Sequence, residues 1–209
     1  MRKVAMAALA ALAAVSMMAA GCGGDDDDGD DEPTASANTP VGNITPFATP
    51  QITGNNIVSQ AMGYSATIPD GWNTRINFIQ TIDGNVDAFF APLPPGAQVQ
   101  PSITVNCVIG EHRVPADELP VAQQTLTARE GLNENIVVGT REIAGVEATS
   151  ISYTNTTQAE NNPILLDKTD YVFVGETCDY ELTTTTAAGE RAAYQPQFDV
   201  FLNSFAFVD

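Results

Sequence analysis

The first 56 residues of this 209-residue chain lack the composition of a folded core, so the fold must be built from the remainder. Residues 4–20 form an uncharged, Ala-rich run directly after Arg2 and Lys3. Residues 23–56 begin with seven acids between positions 25 and 32 and continue mainly with Pro, Thr, Ala, Ser and Asn. Such a stretch buries too little apolar surface to offset its ordering entropy. The sequence therefore predicts a single globular domain at residues 57–209.

The N-terminal run has the pattern of a secretory signal peptide, with a basic start, an apolar middle and small residues at its end. Ala19, Ala20 and Gly21 stand directly before Cys22. This order resembles the bacterial lipobox, in which a peptidase cuts before the cysteine and the cysteine thiol carries diacylglycerol. The alternative is an uncleaved anchor, because about 17 largely apolar residues reach the lower limit for spanning a bilayer. We expect a signal peptide at 1–21 and palmitate-containing lipid on Cys22, which places the protein on the extracytoplasmic face of the cell membrane.

The acidic segment that follows Cys22 is predicted to be a disordered tether over residues 22–56. Repulsion among its acids extends such a chain and holds the domain away from the membrane. A calcium-binding loop is the alternative. The EF-hand pattern requires Gly at its sixth position and Glu at its twelfth, whereas a loop starting at Asp26 has Asp31 and Ala37 there. The pattern favours a solvated spacer without a metal.

Charge argues against nucleic acid as a partner. The whole chain carries a formal charge of −18, and residues 57–209 hold 19 acids against 6 bases. Binding to a polyphosphate requires clustered Lys and Arg, and the bases stand singly along most of the chain. The expected partners are the membrane, through the lipid anchor, and another protein of unknown identity.

The hydrophobic pattern of the domain predicts strands, a helix, more strands and a closing helix. Strands are expected at 62–68, 86–91, 103–109, 136–154 with a break at 144–145, and 171–186. A mid-chain helix is predicted from the N-cap Asp117 to the C-cap Gly131, and a second from the helical spacing of Tyr194, Phe198, Phe201 and Phe205. Successive strands without intervening helices imply an antiparallel sheet. The expected class is α+β, with an antiparallel sheet covered by two main helices.

Several short motifs resemble those of PsbP-like domains. Residues 63–72, Gly-Tyr-Ser-Ala-Thr-Ile-Pro-Asp-Gly-Trp, are similar to the opening strand and Pro-x-Gly-Trp turn of that family. Residues 178–183 and 202–205 resemble its last strand and the Ser-Phe end of its final helix, and residues 143–148 also match in position. The resemblance implies an α/β/α sandwich. It also implies a family of photosystem accessory proteins and bacterial lipoproteins of the LpqN kind, which mostly bind partners and do not catalyse reactions.

Two cysteines, Cys107 and Cys178, remain once Cys22 is assigned to lipid. Each lies in a predicted strand of an exported domain, so a disulfide is the simplest inference. Two separate buried thiols are the alternative. A redox role is not expected, because the chain has no C-x-x-C motif that would lower a thiol pKa.

The sequence contains no motif that names a reaction. His112 is the single histidine, and no Gly-x-Ser-x-Gly motif accompanies it. A hydrolase is therefore a minor alternative. The sequence predicts no catalytic residue, no metal and no cofactor. A carboxylate pair of the glycosidase type stays open, because such pairs are spatial. A second alternative is a carrier for a small apolar ligand or lipid. Its pocket would be lined by the following aromatic residues, which serve equally well as core: Trp72, Phe89, Phe90, Tyr194, Phe198 and Phe201.

Overall fold

The computed structural model describes residues 49–80, 84–108, 118, 121, 123, 133–157 and 163–208. Eleven strands and one helix lie within these residues. The strands are β1 (Gln51–Thr53), β2 (Asn56–Ser59), β3 (Tyr64–Thr67), β4 (Asn73–Gln80), β5 (Gly84–Phe90), β6 (Ser102–Val108), β7 (Asn133–Ile143), β8 (Val146–Thr157), β9 (Ile164–Val174), β10 (Asp179–Ala187) and β11 (Ala206–Phe207). The helix α1 (Arg191–Ser204) lies between β10 and β11.

The strands form two antiparallel sheets. The large sheet has the order β4-β5-β6-β10-β9-β8-β7, and the small sheet has the order β1-β2-β3-β11. Hairpins join β8 to β9 and β9 to β10, while β10 pairs with the distant β6. The central strands β6 and β10 therefore bring together the two halves of the chain.

The core lies between the large sheet and a layer made of the small sheet and α1. Alternation along β6 places Ile103, Val105 and Cys107 on one face, here called the core face, where all three are fully buried. The helix turns Phe198, Phe201 and Leu202 toward the core. We call the opposite side of the large sheet the outer face.

The two motifs that carry the family resemblance meet in this layer. The Thr67 amide at the end of β3 donates a 2.8 Å hydrogen bond to Ser204 Oγ at the end of α1. The Tyr64 and Phe205 rings stack with their centroids 5.1 Å apart. Gly63, just before β3, has a φ of +68°, and a Cβ at this position would collide with the Thr177 side chain. These contacts hold the first strand of the motif against the end of the helix.

The prediction of an antiparallel sheet covered by two main helices is wrong. The fold is predominantly β, with two antiparallel sheets and, among the described residues, one continuous helix, Arg191–Ser204. The small sheet and α1 together cover the core face. Its strand β1 escaped prediction because all three of its residues are exposed, so it has no apolar alternation. The helix predicted at 117–131 lies outside the described residues except for Glu118, which is in a turn, and Val121 and Gln123, which have helical backbone.

Other sequence predictions differ from the structure in detail. The break expected at 144–145 is the turn between β7 and β8, where both residues have positive φ. The single strand expected at 171–186 is instead the end of β9, a turn and then β10. Strand β4 was not predicted, and a register shift between Arg75 and Ile79 explains why, because it breaks the two-residue period.

Regular structure begins before residue 57. Strand β1 pairs with β2, and the Ile68 amide donates a 2.6 Å hydrogen bond to the Asn55 carbonyl. Pro50 is buried as well. Residues 50–56, which the sequence pattern assigns to the tether, therefore contact the domain. Within the described part of the chain, no helix has the length and apolar character needed to cross a membrane.

Candidate functional site

The cysteine pair predicted from the sequence forms a disulfide at the centre of the large sheet. Cys107 lies on β6 and Cys178 directly precedes β10, with their Cα atoms 5.4 Å apart. The register explains this distance, because Cys107 is opposite Tyr180 and therefore diagonal to Cys178 on the core face. Both cysteines are fully buried. Disulfides of this kind persist in oxidising compartments, so the bond fits a domain that folds after export.

The lipidation site Cys22 and the single histidine, His112, lie outside the described residues. Lipidation of Cys22 accordingly stays a prediction from the sequence.

A buried polar pair links the small sheet to the core face of the large sheet. The Tyr64 hydroxyl donates a 2.7 Å hydrogen bond to Asp87 Oδ2, and both residues are fully buried. Nearby, Asn85 Nδ2 lies 3.4 Å from Met62 Sδ. Burial raises the pKa of the Tyr64 phenol well above its ordinary value, and the negative charge of Asp87 raises it further. The phenol therefore stays protonated and donates to the carboxylate.

A second buried cluster lies on the outer face. Gln123 Nε2 donates a 2.6 Å hydrogen bond to Glu181 Oε1, and Thr183 Oγ1 donates a 2.9 Å hydrogen bond to Asp170 Oδ1. Burial raises the pKa of Asp170, although the Thr183 hydrogen bond and the charge of Lys168 oppose this effect. These acids bond to their own neighbours. Among the described residues, no group of three or more His, Cys, Asp or Glu side chains is placed to hold a metal.

The edge strand β7 is tied to the helix by one arginine. Arg141 donates hydrogen bonds of 2.8 Å to Asp199 Oδ1 and 2.7 Å to Asn203 Oδ1, both on α1. Burial alone would raise the pKa of Asp199, but the hydrogen bonds from Arg141 and Gln195 outweigh it and lower the pKa. This ion pair has a structural role, because it joins two elements of the fold.

Most of the predicted pocket aromatics pack against one another. The Trp72 and Phe198 rings meet edge to face with centroids 6.1 Å apart, and the Phe89 and Phe201 centroids are 4.9 Å apart. Phe89, Phe198 and Phe201 are fully buried. These contacts favour the core interpretation of the aromatic residues over the ligand-pocket alternative.

Phe90 differs from that group because it lies on the outer face with Arg75. The Arg75 guanidinium carbon lies 5.3 Å from the centroid of the Phe90 ring and 5.7 Å from that of Phe78. The two rings meet edge to face at 6.4 Å, and Phe78 is 39% exposed. We call Arg75, Phe78 and Phe90 the Arg75 patch. Sequence reasoning missed it because the irregular register of β4 brings Phe78 next to Phe90.

Comparison with known proteins gives structural neighbours only. No protein-family model and no curated protein matches the chain. A crystal structure from Bacteroides thetaiotaomicron VPI-5482 is 12% identical with a TM-score of 0.47, and the match covers 76% of this chain but only 50% of that one. LpqN of Mycobacterium tuberculosis, involved in cell envelope biogenesis, is 10% identical with a TM-score of 0.45 and coverage of 70% and 83%. CyanoP, the PsbP of Synechocystis sp. PCC 6803, is 13% identical with a TM-score of 0.45 and coverage of 78% and 95%.

LpqN and CyanoP are proteins of the kind that the sequence motifs resemble. With TM-scores below 0.5, these similarities assign no function to the chain.

Proposed function

We propose that this chain is a lipoprotein of the extracytoplasmic membrane face that acts by binding another protein and not by catalysis. The Cys107–Cys178 disulfide is the observation that carries the proposal. A disulfide buried within the large sheet supports folding in an oxidising compartment. The predicted signal peptide and Cys22 would deliver the chain to such a compartment and hold it at the membrane.

The arrangement of polar groups supports binding over catalysis. The buried acids Asp87, Asp170 and Glu181 are divided between the two faces of the large sheet, and each bonds to a neighbouring side chain. A catalytic centre would require such groups to line a place where a substrate can enter, whereas all three acids are buried. The packed aromatic rings likewise give no support to the carrier alternative.

Gentle purification tests this function. The full-length protein would be extracted from its own membranes in mild detergent and examined by native mass spectrometry. We expect a species with the mass of a diacylated chain starting at Cys22, part of which is bound to a second protein in a fixed ratio. A bound small lipid in place of a protein would support the carrier alternative. A chain without attached lipid and without a partner would contradict the proposal.

A further inference from the structure

The Arg75 patch is an exposed feature of the described residues in which a cation lies beside aromatic rings. Arg141 pairs with Asp199, Arg191 bonds to Thr184 and Tyr171, and Lys168 acts on the buried Asp170. Arg75, by contrast, is exposed and contacts the rings of Phe78 and Phe90, with no carboxylate partner among the described residues. Arg141, Lys168 and Arg191 are the other bases among the described residues.

We infer that the Arg75 patch is a docking site for a protein partner that presents a carboxylate beside an apolar side chain. This inference rests on the proposed function and names the chemistry of the partner. A guanidinium that lies over aromatic rings keeps the N–H donors along its edge available. Those donors match the two oxygens of a carboxylate, while the exposed ring of Phe78 offers apolar contact.

The position of the patch supports side-chain recognition at this edge. Strand β4 is an edge strand of the large sheet, and its register with β5 shifts between Arg75 and Ile79. An irregular edge is a poor template for pairing with another strand, so recognition would depend on Arg75 and the rings.

Charge favours a protein over a membrane surface as the occupant. An anionic bilayer attracts a protein through clusters of four or more bases and repels acidic ones. A domain with 19 acids and 6 bases, in which no two bases are adjacent in the sequence, does not meet that requirement. A single carboxylate on an otherwise neutral or basic protein surface fits both the local positive charge and the global negative charge.

Site-specific photocrosslinking in the native host tests the inference. Phe78 would be replaced by p-benzoylphenylalanine in the full-length chain, and the same probe at the exposed Leu165 on β9 serves as control. We expect the probe at 78 to link to one protein segment that contains Asp or Glu close to the linked residue. Arg75→Gln should reduce this product about tenfold, as expected for loss of an interface anchor. Arg75→Glu combined with an acid-to-Arg change in the partner should restore it.

Four results would overturn the inference. They are a product with lipid only, a linked segment without an acid, a yield that Arg75→Gln leaves unchanged, or no product from position 78. The melting temperature of Arg75→Gln should equal that of the wild type, which shows that a lost product is not a folding defect. Failure of this site is distinguishable from failure of the proposed function, because a diacylated chain bound to a protein at another surface would still be found by mass spectrometry.

Discussion

The hydroxyl of Tyr64 donates a 2.7 Å hydrogen bond to the carboxylate of Asp87, and neither side chain is exposed to solvent. Tyr64 belongs to the small sheet and Asp87 to the large sheet, so the bond crosses the core of the protein. A carboxylate removed from water is costly unless hydrogen bonds replace its hydration. The contact therefore fixes the position of one sheet on the other.

Replacement of Tyr64 by Phe should lower the free energy of unfolding by about 2 kcal/mol, because it removes a hydrogen bond to a buried charged group. Urea denaturation of the purified domain measures this difference. Tyr194→Phe is the matched control and should change stability little, because the Tyr194 side chain is only partly buried. The double variant Tyr64→Phe, Asp87→Asn should lose less than the sum of the two single variants. Strict additivity would contradict the coupling of the two residues.

The disulfide should contribute strongly to stability. Cys107 and Cys178 are 71 residues apart, and the chain-entropy relation gives about 4 kcal/mol for a loop of that length. The paired variant Cys107→Ala, Cys178→Ala should therefore unfold at a clearly lower urea concentration than the oxidised wild type. Wild-type protein treated with a reductant should shift in the same direction. Equal midpoints for the oxidised and the reduced protein would contradict the assigned role.

The titration of Asp170 should contribute to the pH dependence of the free energy of unfolding. Its pKa is raised in the folded state, so its favourable contribution is present below the ordinary pKa of aspartate and is lost as pH rises through the folded pKa. Asp170→Asn should therefore be more stable than the wild type at neutral pH and similar to it in acid. Denaturation curves across the acid to neutral range measure the difference.

Asp199 provides a control of opposite sign. Its pKa is lowered in the folded state, so its contribution is present above the ordinary pKa and is lost as pH falls through the folded pKa. Asp199→Asn should be slightly less stable than the wild type at neutral pH, by less than about 1 kcal/mol because the ion pair is partly exposed. Identical pH profiles for the two variants would show that neither carboxyl is perturbed as described.

The start of the folded domain can be tested by truncation. A chain that starts at residue 49 retains β1, the buried Pro50 and the bond between Asn55 and Ile68. A chain that starts at residue 57 loses all three and should melt at a lower temperature. Thermal unfolding followed by circular dichroism compares the two. Equal melting temperatures would show that residues 49–56 add nothing to the stability of the domain.

Local alternation was sufficient to predict β3, and the Val, Ile and Phe content predicted β5 and β6. The two cysteines left in an exported domain predicted the pairing of Cys107 with Cys178. Alternation could not predict two other strands of the small sheet, because β1 is exposed at every residue and β11 has only two residues. The Arg75 patch could not be predicted from the sequence for a different reason. It depends on a register shift in β4 that brings Phe78 beside Phe90, and such shifts arise from pairing between strands and leave no periodic signal.

The most direct test of the central claim is the chemistry of the mature N-terminus. Cells that express the full-length chain would be labelled with radioactive palmitate, beside cells that express Cys22→Ala. Because the lipid is expected on the Cys22 thiol, the wild type should incorporate label and mature to a chain that begins at Cys22. The variant should remain unlabelled and unprocessed. A variant that still takes up label and matures normally would contradict the account of this chain as a lipoprotein.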